Sequence, residues 1–389
     1  MKVKVIRGSN QIGGSIIEVA SESTRVILDV GSELGENAPQ TPAVEGLFNG
    51  TPSFDAVLIS HYHGDHLGLL DSVLPEIPVF MGKKAYAVYE KQLEYAGKPL
   101  RDDIRTFEPR ESFAIGDIQI TPYLCDHSAF DSYMYLLQEG DEKVLYTGDF
   151  RSNGRKNFKY LLSLLPEVDK LIVEGTTLSG KHASARTEAD LEYEAVQLIK
   201  RIGDAPVFVN MASTNIDRIV TFFRTAKRTG RVLLEDTYTA SLTAAISGNI
   251  PNPKFPEVKV FLARPTERDY DILQHFSSSK IGRRGISKER FVMMVRPSML
   301  GYLEKLSAEM DFNGGLLIYS LWGGYKEDER TKAFLTRMEE LGLSIVDLHV
   351  SGHADTQTIE ALIAVVKPKE IIPVHTENAE WFERFKADE

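Results

Sequence analysis

Short β-type runs bounded by Gly, Asp and Pro dominate roughly the first 175 residues: Val3 to Arg7, Ser15 to Val19, Arg25 to Leu28, Ala56 to Ile59, Val79 to Met81, Ile118 to Tyr123, Tyr133 to Gln138, Lys143 to Tyr146 and Lys170 to Val173. Helical spacing interrupts them at Lys83 to Ala96 and Phe158 to Leu165. From about residue 186 the texture changes. Helical patterns over Arg186 to Arg201 and Asn215 to Thr229 alternate with apolar runs at Pro206 to Asn210, Val232 to Glu235, Val258 to Phe261, Phe291 to Val295 and Leu316 to Tyr319. Strands alternating with helices predict a parallel-sheet α/β unit. The end of the chain returns to short elements: a strand at Ser344 to His349, a helix at Asp355 to Val366, a strand at Glu370 to Val374 and a helix at Ala379 to Ala387.

A chain of 389 residues exceeds the size at which single cores stop growing, so two domains are expected. Its apolar and charged fractions, 42% and 26%, are those of ordinary globular proteins. No run approaches the roughly 20 apolar residues of a membrane helix, so no membrane partner is expected. The N-terminal Met1-Lys2-Val3-Lys4-Val5-Ile6 lacks the pattern of a signal peptide, which points to the cytoplasm. The single cysteine, Cys125, excludes an intrachain disulfide and fits a reducing compartment; two residues before His127, it reads as a small buried hydrophobe rather than a ligand.

A net charge of −11 argues against indiscriminate nucleic-acid binding, which depends on Lys and Arg. The average conceals an asymmetry: residues 178 to 340 hold 24 Lys and Arg against 21 Asp and Glu, and the rest holds 21 against 35. Two basic groups stand out in the middle region, Arg224, Lys227, Arg228 and Arg231, and Lys280 to Arg284 with Lys288 and Arg290. Each reads as a solvated face that gains interest only beside a phosphodiester-cutting site.

Residues 61 to 66 read His-Tyr-His-Gly-Asp-His directly after the apolar run Ala56 to Ile59. In extended backbone His61 and His63 face the same way and can share an ion, while Asp65 and His66 lie past the Gly64 turn. Ligands diverging around a turn suit two metals, and imidazole with carboxylate is a zinc-type donor set. Three more candidates repeat the geometry of a ligand delivered at a strand end: His127 after Ile118 to Tyr123, Asp149 after Val144 to Tyr146, and His375 after Ile371 to Val374.

These residues carry a resemblance. His61-x-His63-x-Asp65-His66, His127, Thr147-Gly148-Asp149-Phe150 and Asp29 in Ile27-Leu28-Asp29-Val30-Gly31 resemble the ordered motifs of the metallo-β-lactamase superfamily. Glu174 in Val173-Glu174-Gly175-Thr176, His353 in Ser351-Gly352-His353-Ala354 and His375 in Pro373-Val374-His375-Thr376 resemble the further motifs of its β-CASP nuclease branch, to which ribonuclease J belongs. The resemblance implies an αββα metallo-β-lactamase sandwich made from residues 1–179 and 341–389, with an inserted α/β β-CASP domain over 180–340. It implies two Zn2+, with Mn2+ as an alternative: His61, His63 and His127 on one, Asp65, His66 and His375 on the other, and Asp149 bridging. Asp29 then supports the site by hydrogen bonds, or else is a plain strand-end turn former.

The same resemblance implies hydrolysis of RNA, endonucleolytic or 5′ to 3′ exonucleolytic, in RNA processing or decay. Asp65, His353 and Glu174 form the expected catalytic set, with His353 as general acid oriented by Glu174. Ser351, Gly352 and Ala354 are expected to cradle a phosphate. Histidine at position 375 favours RNA, because DNA-acting relatives tend to carry valine there. His182 and His275 are expected at the surface, and His349 at a strand end. The chain departs from ribonuclease J in having no counterpart of its C-terminal domain, so that oligomeric mode does not transfer. It also reads Ser320-Leu321-Trp322-Gly323-Gly324-Tyr325 where a Gly-Ser-Gln-Gly type loop is expected. Trp322 and Tyr325 either stack unpaired bases or belong to a core. The competing readings are a hydrolase of DNA or of a small ester or lactone on the same fold, and a non-catalytic RNA-binding protein.

Overall fold

The computed structural model describes residues 1–35, 40–180 and 186–385. His182 and the last residues of the expected final helix lie outside them; within them that segment is a 3-10 helix, Ala379–Phe385. The chain forms two compact units, one from residues 1–185 and 352–389, the other from 186–351.

Two six-stranded sheets make the first unit. In one, Lys2–Arg7, Ile16–Ala20 and Arg25–Leu28 run antiparallel, and Ala56–Leu58, Val79–Gly82 and Ile104–Phe107 continue in parallel. The other runs in the order Glu370–Val374, Lys170–Glu174, Glu142–Tyr146, Ser132–Glu139, Ile118–Cys125, Phe113–Ile115. Strand Ser132–Glu139 shows why the layers form. Its odd-numbered Tyr133, Tyr135 and Leu137 join Ile17, Val19, Val26 and Leu28 of the first sheet in one core. Its even-numbered Met134 and Leu136 pack with Leu161, Ile359, Leu362 and Val366 from the helices on the far side. A strand buried on both faces, with a period of two, is what a sheet between a second sheet and a helical layer demands. The helix Lys83–Ala96 buries Ala85, Val88, Tyr89 and Leu93, and Thr356–Val366 opens on Asp355, whose side chain accepts from Thr358 N at 2.8 Å.

The pairing pattern sets where side chains can converge. Ile118–Cys125 and Glu142–Tyr146 both run antiparallel to the strand between them, and Glu142–Tyr146, Lys170–Glu174 and Glu370–Val374 are parallel. Four carboxyl ends therefore emerge on one edge of this sheet, one closing on Glu174 and the others followed by His127, Asp149 and His375.

The second unit is an all-parallel sheet in the order Val258–Phe261, Val232–Asp236, Phe291–Val295, Val207–Asn210, Leu316–Tyr319, Ser344–Asp347. Phe208, Leu234, Phe261, Met293 and Leu317 contribute to its main core. One expectation is corrected: Ser344–Asp347, assigned above to the returning segment, is the edge strand of this sheet, paired with Leu316–Tyr319. The unit accordingly runs from 186 to 351 rather than 180 to 340. An edge strand buries little, here in an exposed, half-buried, half-buried, exposed pattern, so its composition does not reveal which sheet it joins. Among the described residues no helix is long and apolar enough to cross a membrane.

A buried ion pair ties the second unit together. The Arg218 guanidinium, fully buried, meets Glu188 at 3.1 Å and donates to the carbonyls of Ser320 and Val350 at 3.1 Å each. Removing one partner of such a pair strands the other charge. Arg218→Met is therefore expected to cost about 3 to 5 kcal/mol in urea denaturation, and adding Glu188→Leu to recover part of it; equal losses in the single and double variants would contradict this reading.

Candidate metal centre

The strand Ala56–Leu58 runs into Ile59 and Ser60 and delivers His61 at its end; its parallel neighbour Arg25–Leu28 delivers Asp29, whose N–H donates to Leu58 O at 2.9 Å. Between them the backbone closes tightly. A Cβ on Gly31 would stand 1.7 Å from Asp65 O, so only glycine lets this strand exit pass under the His61 to His66 loop. Asp29 and His375 both take left-handed backbone, φ 59° and 50°, a conformation that costs ordinary residues about 1 kcal/mol or more and concentrates at working sites.

The ring nitrogens divide into an outer and an inner set. On the outside, His61 Nδ1 lies 3.0 Å from Ser60 Oγ, His66 Nδ1 2.7 Å from Asp29 Oδ2, His127 Nδ1 2.6 Å from Gly352 O and His375 Nδ1 2.8 Å from Thr176 Oγ1. These contacts turn each Nε2 inward. There, His61 Nε2, His66 Nε2 and Asp149 Oδ1 are buried with no hydrogen-bond partner, and His63 Nδ1 faces His127 Nε2 at 3.1 Å. Buried polar atoms are normally paired. A cation supplies what this arrangement lacks, and the donors fit one: His61, His63 and His127 place ligand atoms within 4.8 Å of one another, and Asp65, His66, Asp149 and His375 do the same.

Asp149 stands between the groups. Its Oδ2 is 3.8 Å from His61 Nε2, 3.9 Å from His127 Nε2 and 3.2 Å from His66 Nε2, and its Oδ1 is 3.9 Å from His375 Nδ1. Of the seven expected ligands the structure thus brings together all seven, with the one expected to bridge at the centre.

Electrostatics point the same way. Burial holds His61 and His127 well below the usual imidazole range and His63 down to about 4, so these rings are neutral and keep their lone pairs. Burial also disfavours charge on His66, but Asp149, Asp29 and Asp65 outweigh it and raise its pKa well above normal. Asp149 is held far below the usual carboxylate range against its own burial by His375, His66 and His353. Without a metal, a proton takes the place of the cation.

Beside this cluster, Glu174 is buried and saturated. Its Oε1 accepts from Phe150 N at 3.0 Å and Ala354 N at 3.4 Å, and its Oε2 accepts from Thr176 Oγ1 at 2.7 Å and lies 3.2 Å from His353 Nδ1. His353 also lies 3.5 Å from Asp149 Oδ2. Burial disfavours its charge, yet Glu174 and Asp149 raise its pKa to about 9.

The expected phosphate cradle fares differently. Ala354 is fully buried with its N–H turned to Glu174, Gly352 lends its carbonyl to His127, and Ser351 falls in the second unit. The N–H of Ala354 is therefore committed within the protein. The Asp29 carboxylate takes Ser60 N at 2.7 Å, Ser60 Oγ at 2.7 Å and Tyr146 OH at 2.6 Å as well as His66. Sequence reasoning missed Ser60, Tyr146 and Thr176. A hydroxyl directly before His61 and another two residues after Glu174 are the signals available for two of them. His275 is exposed, its Nδ1 on Asp271 O at 2.8 Å, and Cys125 is buried.

The basic groups of the second unit are largely committed to internal pairs. Arg228 meets Glu192 at 3.0 Å, Lys227 meets Glu257 at 2.9 Å, Arg283 meets Glu309 at 3.0 Å and Arg290 meets Asp204 at 2.9 Å. Arg231 is buried and donates to Phe291 O at 3.2 Å.

Asp29→Asn keeps the shape of this support but replaces an acceptor of the His66 Nδ1–H. Zinc affinity, measured by competition with a chromophoric chelator, is expected to fall about 10- to 100-fold; an unchanged affinity would return Asp29 to the role of a turn former.

Comparison with known proteins agrees with this geometry. Residues 24–210 match the beta-lactamase superfamily domain, and residues 340–385 match the Zn-dependent metallo-hydrolase RNA specificity domain. The chain is 21% identical to ribonuclease J 1 of Streptococcus pyogenes over 96% of its own length and 68% of the relative's. It is 27% identical to an RNase J-like protein of Methanocaldococcus jannaschii over 52% of its length and 50% of the relative's. With ribonuclease J of Helicobacter pylori it shares 21% identity, spanning 56% of that protein. A solved protein of unknown function from Enterococcus faecalis V583 has the same fold, with a TM-score of 0.81 at 20% identity over 97% of this chain and 94% of that one. Strand-end ligands, a shared central carboxylate and an α/β unit inserted before the final metal-binding histidine accompany these matches, and the chain belongs to the metallo-β-lactamase superfamily, in its β-CASP, ribonuclease J-like branch.

Proposed function

We propose that this protein is a zinc-dependent ribonuclease that hydrolyses RNA phosphodiester bonds in the cytoplasm, in RNA processing or decay. The observation that carries the reading is the carboxylate Asp149, 3.2 to 3.9 Å from histidines of both buried donor groups, with a carboxylate-held histidine at its side. The match of residues 340–385 to an RNA specificity domain supports RNA as the polymer. Two Zn2+ are proposed, on His61, His63 and His127 and on Asp65, His66 and His375, with Asp149 common to both and Mn2+ as an alternative. Such a pair lowers the pKa of water and neutralises charge on a phosphate.

The protein's own part is placement and proton handling. The outer tethers on Ser60, Asp29, Gly352 and Thr176 fix each imidazole in one tautomer and orientation before substrate arrives. Glu174 holds His353 at Nδ1, so that the ring carries a proton at neutral pH and offers it from its other nitrogen to the leaving ribose oxygen. Of the competing readings, a hydrolase of DNA or of a small ester or lactone, only the small-molecule one draws support from the net charge of −11.

The zinc-loaded protein should be offered one RNA bearing a 5′ monophosphate, triphosphate or hydroxyl, matched DNA and a chromogenic ester. Cleavage of RNA is expected, with mononucleotides marking an exonuclease and internal fragments an endonuclease. The Asp65→Ala, His66→Ala double variant should be inactive, and His353→Ala should lower kcat by about 10² to 10⁴ while retaining metal. Absence of RNA cleavage under both zinc and manganese, or turnover of the ester alone, would refute the proposal.

A further inference from the structure

Large apolar side chains left in water call for an explanation when they are adjacent and held. Six are exposed among the described residues, and two of these, Trp322 and Tyr325, lie three positions apart with relative exposures of 62% and 54%. Their rings meet edge to face at 5.5 Å and 88°. The choice between core and contact surface that the sequence leaves open is thus decided against a core.

Both stand just beyond the carboxyl end of the strand Leu316–Tyr319, in the 3-10 turn Gly323–Glu327 and the residue that caps it. In open parallel α/β sheets ligands bind at that end. The turn is anchored from below. Tyr325 N and Tyr319 OH both donate to Trp322 O, at 3.1 and 3.3 Å, and Lys326 is ion-paired with Asp347 while its ammonium sits 4.8 Å from the Tyr319 ring centre. Ser320 N donates to Asn210 O at 2.9 Å, which ties the start of the loop to the neighbouring strand.

Gly324 makes room for the indole. A Cβ there would stand 2.1 Å from Trp322 Cζ3 and 2.2 Å from Cη2, so the ring lies against bare backbone, and only glycine permits it. One face of the indole is thereby seated and the rest is presented to solvent. A flat, rigid, exposed aromatic face loses little conformational freedom on stacking, and every nucleobase has a matching π-face.

Resting on the ribonuclease reading above, we infer that Trp322, flanked by Tyr325, is a positioning residue that stacks an unpaired base of the substrate. The nearby cations are already matched, Lys326 by Asp347 and Lys332 by Glu327 and Glu329. Ring contact rather than charge therefore dominates this patch, and its contribution to binding should be nearly independent of salt, unlike contacts to phosphate.

The chain holds two tryptophans, so Trp381→Phe leaves Trp322 as the sole indole reporter. In that background, with the metal-loaded protein and a cleavage-resistant phosphorothioate backbone, oligo(U) should quench the indole fluorescence, and duplex RNA should not. With zinc present, Trp322→Ala should raise KM for single-stranded RNA about tenfold with kcat within about twofold, and Trp322→Phe should stay within about threefold of the parent KM. Wild-type cleavage of single-stranded RNA with no quenching and an unchanged KM in Trp322→Ala would overturn the platform and leave the ribonuclease reading intact. A shift of oligomeric state in Trp322→Ala by gel filtration, with KM unchanged, would overturn it in favour of a protein contact. Failure of the wild-type protein to bind or cut any RNA would overturn both readings, and it would be visible before any substitution is made.

Discussion

Imidazole nitrogens and a carboxylate oxygen buried with nothing to bond are the constraint on which the first unit turns. His61 Nε2, His66 Nε2 and Asp149 Oδ1 have no partner, and a buried polar atom left unmade costs about 1 to 3 kcal/mol. Three such atoms in one small volume are an arrangement that a cation would satisfy. The two sheets look arranged to create this problem. Six strands end around the same point, each carrying a ligand or its support one to three residues past its last pair. Tethers at the outer ring nitrogens keep the inner ones from turning away.

Four of the proposed metal ligands stand out in the sequence because they sit where an apolar run stops. A strand end is the one place in a buried sheet where a polar side chain can be delivered without breaking the ladder. His61, His127, Asp149 and His375 all obey that rule. The supporting hydroxyls did not stand out, since Ser60, Thr176 and Tyr146 are ordinary residues whose roles depend on what the fold brings within reach; Tyr146 meets Asp29 across the sandwich. Asp29 was legible as a candidate but not as a choice between turn and tether until four donors were seen to converge on it.

The second unit was legible as alternating strands and helices, and less so at its edge and its surface. Ser344–Asp347 carries too little apolar surface to announce its sheet. The basic groups, read from the sequence as solvated faces, are matched by acids distant in sequence. Arg228 is matched by Glu192, Arg290 by Asp204 and Lys227 by Glu257, so a count of positive charge overstates what is available to a polyanion. What this surface offers instead is aromatic, and the seat of Trp322 against Gly324 depends on a loop conformation that residue types alone do not specify.

If the buried donors form a paired cation site, zinc content shows it. Inductively coupled plasma mass spectrometry after loading and gel filtration should find close to two zinc ions per chain in the parent protein and a loss of both in Asp149→Ala, since that carboxylate would serve both positions. Less than half an ion per chain in the parent, or full retention in Asp149→Ala, would contradict it.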